Sequence, residues 1–203
     1  MIRYVILLVL VLSSIGVAAL VEGTNCGFVT VAPTADPGAT GGVIDGYSLS
    51  ARFTSPAGAT KVTEIGWWCD TATEESNWEA GIYDNDGSPN NLLAGESRTN
   101  AKGTTAGWKS ATGLNITISG STTYWLGVQL DNTTTQTNVD YALNASYSRE
   151  YASASATLPN PWNGGSAAGR IMAIYALYET GSPPPSQTGH HGALLCGNHR
   201  RRS

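Results

Sequence analysis

The sequence predicts an all-β protein, a two-sheet antiparallel β-sandwich with a jelly-roll-like arrangement of strands. Short stretches in which apolar and polar residues alternate recur along the chain, as half-buried strands require. Gly, Pro, Asn and Asp separate these stretches, and no convincing amphipathic helix pattern is present. Only 13% of the 203 residues are charged, whereas Thr, Ser, Asn and Gly are abundant, which is typical of many short strands joined by turns.

Two segments carry the clearest strand patterns. In 122–131 every second residue from Tyr124 is apolar, which predicts one face packed on a core. Residues 78–95 predict a hairpin, because turn-forming residues are too dense in 84–91 for a strand to continue. Nine to eleven strands are expected, with separate strands at 107–109 and 114–118, a second hairpin at 139–151, and a strand buried on both faces at 170–179. Residues 32–46 are expected to form a loop or an extended edge segment, and residues 152–169 a loop.

The N-terminal segment predicts an exported protein. Arg3 precedes an apolar run at 4–12 and small residues at 17–19, the pattern of a secretory signal peptide and its cleavage site. A short membrane anchor is the alternative, because the apolar stretch only just approaches the ~20 residues that a spanning helix needs. We therefore expect a signal peptide or short anchor at 1–21, a β-sandwich domain at 22–180, a disordered Pro/His/Arg tail at 181–203, and a secreted or extracellular-surface location.

The charge of the domain argues against two classes of partner. Between Leu20 and Thr180 the chain has seven basic and fifteen acidic residues, a net charge of −8. Such a surface would repel nucleic acid and anionic membranes. We expect no nucleic-acid partner and no membrane insertion after signal removal.

The cysteines allow two interpretations. Cys26 and Cys69 could form a disulfide between the N-terminal segment and a core strand, which would suit an oxidising compartment. The alternative is two unbridged cysteines. Cys196 lies in the tail together with all three histidines of the chain, His190, His191 and His199. This tract is either a zinc or copper site or a disordered appendage.

Five short motifs mark turns and core strands of the predicted sandwich. They are Gly81-Ile82-Tyr83-Asp84, Gly87-Ser88-Pro89, Leu92-Leu93-Ala94, Gly107-Trp108 and Thr122-Thr123-Tyr124-Trp125-Leu126-Gly127-Val128. Together they resemble a widespread group of secreted bacterial, archaeal and phage-associated jelly-roll domains of surface and multidomain extracellular proteins. The resemblance covers about 47–179. It implies a role in binding, adhesion or assembly, and it carries no catalytic residues to transfer.

Aromatic side chains are the candidate ligand-binding groups. The chain has nine Tyr and six Trp against two Phe, and both Tyr and Trp combine an apolar ring with a polar edge. Such rings beside Asp, Asn and Gln suit glycan stacking and hydrogen bonding. Trp68, Tyr83, Trp125 and Trp162 are expected on outward faces or in loops. The alternative is that these rings pack beneath loops or against a neighbouring subunit, which for Trp68 is the favoured interpretation.

Catalytic constellations are poorly represented. No Gly-x-Ser-x-Gly motif occurs, and residues 22–180 contain no histidine that could act as a base. A glycosidase needs only two carboxylates, for which outward-facing Glu64 and Glu79 are the candidates, with Asp70 and Glu150 behind them. Carboxylates on the solvated face of a strand are the ordinary arrangement, however. We therefore expect that the protein is not an enzyme.

Two further kinds of site are suggested by local patterns. Asp84, Asn85 and Asp86 offer oxygen ligands to a structural calcium, although the twelve-residue loop with a distal Glu is lacking and an Asp-Gly turn without metal is the alternative. No other cofactor is expected. Asn115, Asn132 and Asn144 match the N-glycosylation pattern, and chance matches are expected in a chain this rich in Asn and Thr.

Three functions are therefore considered. The first is a non-catalytic extracellular domain for surface binding or adhesion, with a glycan as the expected partner. The second is a self-assembling structural subunit of a filament, pilus-like fibre or surface layer, in which residues 28–46 would add a strand to a neighbouring copy. The third is a glycoside hydrolase.

Overall fold

The computed structural model describes residues 19–44, 47–70, 75–97, 100–131, 137–153, 157–165 and 168–181. Within these ranges the chain forms thirteen strands and no helix. The strands build two sheets that pack face to face, so the prediction of an all-β sandwich is confirmed. Most of the predicted signal segment and of the predicted tail lies outside the described residues.

Sheet I has seven strands. They are β1 (Gly27–Val29), β2 (Thr40–Val43), β4 (Ala59–Cys69), β8 (Gly107–Thr117), β10 (Asn138–Leu143), β12 (Arg170–Met172) and β13 (Ile174–Thr180). Their order is β1-β13-β4-β10-β12, with β2 also paired to β10 and β8 to β4. All neighbours are antiparallel except β1 and β13, which run parallel.

Sheet II has six strands. They are β3 (Tyr47–Thr54), β5 (Asn77–Asn85), β6 (Pro89–Leu92), β7 (Asn100–Ala101), β9 (Thr123–Leu130) and β11 (Arg149–Ser153). Their order is β11-β3-β9-β5-β6, with β7 also paired to β5, and every pairing is antiparallel. The predicted hairpin at 78–95 is confirmed by the pairing of β5 with β6.

The core lies between the two sheets, where the alternation of side chains predicted it. Trp67 of β4 meets Trp78 of β5 across the sandwich, with ring centres 6.1 Å apart and ring planes at 75°. Both rings are almost fully buried. Leu126 and Val128 of β9 are also fully buried in this core, as the 122–131 pattern predicts.

Two details of the predicted strand pattern are wrong. Residues 139–151 are not a hairpin, because β10 belongs to sheet I and β11 to sheet II. The chain crosses between the sheets through a turn in which Tyr147 N donates a hydrogen bond to Asn144 O at 3.1 Å. The two strands expected at 107–118 are one strand, β8, in which Gly113 has φ 72° close to a shift in register. Within 32–46, β2 pairs with β10 and with no other described strand, which agrees with the alternative of an extended edge segment.

Candidate functional site

Residues 157–165, hereafter the strap, cover the outer face of sheet II. Hydrogen bonds tie the strap to β5 and β6 near one edge of the sheet and to β11 at the other. They are Leu158 N to Glu79 Oε2 (2.7 Å), Tyr83 Oη to Pro159 O (2.8 Å), Trp162 N to Asn90 O (2.8 Å) and Gly165 N to Tyr151 O (3.1 Å). Because β9 and β3 lie between these edges, the strap crosses the middle of the sheet.

Of the four aromatic residues predicted to bind a glycan, Tyr83 and Trp125 lie beneath this strap and Trp162 is part of it. Tyr83, Trp125 and Trp162 form a small hydrophobic cluster with Leu158, and they are 0%, 1% and 8% exposed. The rings of Tyr83 and Trp162 are 5.1 Å apart, and Trp125 Nε1 donates to Asn85 Oδ1 at 2.8 Å. These residues do lie on an outward face or in a loop, but their rings are buried, which agrees with the alternative that they pack beneath a loop. Tyr83 and Trp125 do point away from the main core, but the strap and its contacts cover them.

Trp68 is buried on the outer face of the other sheet. Its ring packs edge-on against Trp108 at 5.6 Å, and Trp108 in turn contacts Tyr175 at 5.3 Å. Tyr175 fits over β4 because Gly66 has no side chain; a Cβ there would lie 2.4 Å from the tyrosine ring. An aromatic layer therefore covers Trp68, and the favoured interpretation of this residue as packed is confirmed.

The two carboxylates proposed for glycosidase chemistry lie on opposite sides of the molecule. Glu64 accepts a hydrogen bond from Tyr175 Oη on the outer face of sheet I, whereas Glu79 lies under the strap on the outer face of sheet II. Packed sheets are ~10 Å apart, so the carboxyl groups are farther apart than the ~5–9.5 Å that glycosidases use. Glu79 instead lines a cleft of about 470 Å³ with Glu96, and burial together with these two carboxylates raises the pKa of Tyr83.

The predicted calcium turn does not gather its side chains. Asp84 and Asn85 are consecutive strand residues, so their side chains point to opposite faces. Asp84 accepts hydrogen bonds from Asn91, at 2.7 Å from its backbone nitrogen and 3.1 Å from its side chain. Asn85 is engaged with Trp125, and Asp86 is exposed. The part of the chain that the structure describes contains no group of three His, Cys, Asp or Glu residues placed to hold a metal.

The predicted disulfide between Cys26 and Cys69 is not formed. Both side chains are buried, but β13 lies between β1 and β4. Two strand spacings amount to ~9.5 Å, whereas disulfide-bonded Cα atoms lie within about 7 Å. Burial, with a contribution from Glu22, raises the pKa of the Cys26 thiol.

The glycosylation and tail predictions meet the structure only in part. Asn115 on β8 and Asn144 after β10 are exposed, and the Asn144 side chain accepts a hydrogen bond from Ser146 N at 3.0 Å. Asn132 lies outside the described residues. The predicted metal tract of the tail also lies outside them; its residues are His190, His191, Cys196 and His199.

An open polar groove, which the sequence did not predict, lies where the β5–β6 turn approaches the β8–β9 turn. Two adjoining clefts of about 400 and 580 Å³ share Asn85 and Thr123, and we call their union the end groove. Hydroxyl, amide, carboxylate and guanidinium groups line it, together with two tyrosine rings. The lining includes Glu22, Arg52, Asp84, Ser119, Ser121, Thr122, Tyr124, Ser146 and Tyr147.

A hydrogen bond and a cation–π contact position two of the charged groups of the end groove. Tyr147 Oη donates to Glu22 Oε2 at 2.7 Å, and this bond raises the pKa of Tyr147 to about 12. The Arg52 guanidinium lies 5.7 Å from the Trp125 ring centre. The hydroxyl-rich stretch at 117–123 was the one local signal of this groove, because its other walls come from distant parts of the chain.

Among the described residues there is no helix of the length and apolarity that crossing a bilayer requires. Comparison with protein-family models, with curated proteins and with solved structures finds no match to this chain.

Proposed function

We propose that the protein is an extracellular, non-catalytic binding domain of jelly-roll type that holds a glycan in the end groove. The observation that carries this proposal is that two polar clefts adjoin at Asn85 and Thr123. Saccharides offer many hydroxyl groups and weakly apolar ring faces. Serine and threonine hydroxyls, an amide and a guanidinium can form hydrogen bonds with the saccharide hydroxyl groups, and Tyr147 offers ring surface to the saccharide ring faces.

The hydrogen bonding of the groove favours binding over catalysis. A glycosidase needs one carboxyl group to protonate the leaving oxygen and a second to act on the sugar or on water. In the end groove Asp84 is bonded through both oxygens to Asn91, and Glu22 accepts from Tyr147. Both carboxylates are therefore engaged in holding the groove together.

A polysaccharide-binding assay on the purified domain tests the proposal. Wild type is expected to bind at least one polymer of a glycan array. Thr123→Val should weaken binding about 2–10-fold, because it removes one hydroxyl and a hydrogen bond contributes about 0.5–1.5 kcal/mol. Tyr147→Ala should weaken it by a similar factor through the lost ring contact.

Thr112→Val is the matched control, since Thr112 is an exposed threonine on sheet I, away from the groove. Its affinity should equal that of wild type. Absence of binding by wild type across the array, or equal losses in Thr112→Val and Thr123→Val, would contradict the proposal.

Self-assembly into a filament or layer is the second proposal, and a different surface favours it. The eleven-residue β8 pairs with β4 along one edge and with no other described strand. A long edge strand offers unpaired backbone groups to a second copy. The segment expected to donate a strand, 28–46, is already used within the chain, because β1 pairs with β13 and β2 with β10.

Light scattering at increasing protein concentration tests this second proposal. Wild type should associate, and Thr112→Lys should shift it towards monomer, because a lysine on an edge strand opposes strand addition. Thr104→Lys, in the exposed loop before β8, adds the same charge and should leave association unchanged. A wild type that stays monomeric at the highest concentration would exclude assembly through β8.

A further inference from the structure

Four buried oxygen atoms on the outer face of sheet II have no hydrogen-bond partner among the residues that the structure describes. They are Ser48 Oγ, Ser50 Oγ, Gln129 Oε1 and Glu150 Oε2. The first three side chains are 0% exposed and that of Glu150 is 3% exposed. Each buried polar atom without a hydrogen-bond partner lowers the stability of the folded state by about 1–3 kcal/mol. Four such atoms on one face therefore indicate that a bound group contacts them.

The strand register brings these side chains together. On β3, Ser48 and Ser50 point to the outer face, since the intervening Leu49 belongs to the main core. Ser48 lies directly opposite Gln129 of β9, and Ser50 lies directly opposite Glu150 of β11. Directly opposed residues have Cβ atoms about 4.5–5.5 Å apart, so the two serines lie between the longer Gln and Glu side chains.

The existing hydrogen bonds leave the free oxygens available on this face. Gln129 Nε2 donates to Asp131 Oδ1 at 3.2 Å, which leaves Oε1 as the unpartnered atom of the amide. Glu150 Oε1 accepts from Ser88 Oγ at 2.7 Å. Among the described residues no lysine or arginine forms an ion pair with Glu150. Burying a carboxylate without a cationic partner destabilises the folded state. The group that binds here is therefore expected to be positively charged.

We propose that Ser48, Ser50, Gln129 and Glu150 form a calcium site on the outer face of sheet II. Hard divalent cations take carboxylate, amide and other oxygen ligands, and calcium accepts six to eight of them in flexible geometry, with water completing the shell. A site with a single carboxylate binds weakly, in the range of about 10⁻⁴–10⁻³ M found in extracellular modules. The site is separate from the end groove and does not depend on the proposed glycan.

Thermal unfolding of the whole domain tests the site. The Tm is measured in calcium chloride and compared with the Tm in EDTA and in magnesium chloride at equal ionic strength. Calcium at about 100 times Kd should raise Tm by roughly 5–10 °C, and magnesium should raise it less. Glu150→Gln should abolish the calcium effect while unfolding at an equal or higher Tm than wild type in EDTA, because it removes an unpaired buried charge. Ser50→Ala should reduce the effect.

Asp86→Asn distinguishes this site from the calcium turn that the sequence suggests. We expect the calcium effect to remain in Asp86→Asn and to be lost in Glu150→Gln. If Asp86→Asn lost the calcium effect on Tm and Glu150→Gln kept it, the ion would bind at the turn and the proposal would be overturned. A wild type whose Tm is equal in calcium and in EDTA would also overturn it. If Glu150→Gln fails to fold, the calcium affinities of wild type and Ser50→Ala are compared by calorimetric titration with calcium chloride. Equal affinities would contradict the proposed site.

Discussion

Trp67→Ala is expected to lower the free energy of unfolding by about 3–5 kcal/mol, the largest single effect of any core change considered. Trp67 is fully buried on the inner face of β4, and its ring packs edge-on against Trp78 of β5. The alanine variant therefore loses apolar burial, an aromatic contact and the packing of the two sheets at one position. The cavity cannot collapse easily, because both neighbouring strands of β4 are held in register.

Urea unfolding monitored by circular dichroism measures this loss, which corresponds to a decrease in Tm of roughly 6–20 °C for a domain of this size. Val31→Ala serves as the control, because Val31 is 75% exposed and should change the free energy by less than about 0.5 kcal/mol. Similar stabilities of Trp67→Ala and Val31→Ala would mean that the two tryptophans do not join the sheets.

Asp140 is expected to make the domain less stable as the pH rises from about 4 to 6. The side chain is 2% exposed on β10, and burial, with Asp70 and Asp36 nearby, raises the pKa of Asp140 from 3.8 to about 6. A hydrogen bond from the Ala39 backbone opposes this shift. Between these two pKa values the folded state binds more protons than the unfolded state. Protonation of Asp140 therefore contributes its full stabilisation of the folded state below pH 3.8, and this contribution is lost as the pH rises through 6.

Asp140→Asn should remove this dependence and raise the free energy of unfolding at pH 7 by about 2–3 kcal/mol relative to wild type. Equilibrium urea unfolding of both proteins at pH 4, 5, 6 and 7, with EDTA present, gives the comparison. The two stabilities should converge at pH 4 and separate by pH 7. Parallel pH profiles for wild type and Asp140→Asn would show that another group carries the pH dependence.

The strands and the inner core could be predicted because both follow from local periodicity. In 122–131 the alternation of apolar residues placed Leu126 and Val128 on the core face, where they lie. The turn at 84–91 was predictable because Gly, Pro, Asn and Asp have strong local preferences. The 139–151 segment was misjudged, since two adjacent strands in the sequence can pair with each other or join different sheets, and local pattern does not distinguish these outcomes.

The outer faces could not be predicted in the same way. Tyr83 and Trp125 alternate away from the core as a solvent-facing side chain would, and the strap that buries them comes from residues 157–165. The end groove likewise joins Glu22, Asn85 and Tyr147, which are distant in sequence. The same holds for the free oxygens of Ser50 and Glu150, which meet only through the pairing of β3 with β11.

The sequence by itself determined that this protein is a β-sandwich with an acidic net charge. Period-two alternation and turn chemistry act over a few residues, so they can be read directly from neighbouring positions. The tertiary structure decided which polar and aromatic groups are covered and which remain open. Burial of an outward-facing side chain depends on long-range packing, here by the strap over sheet II and by the aromatic layer over sheet I.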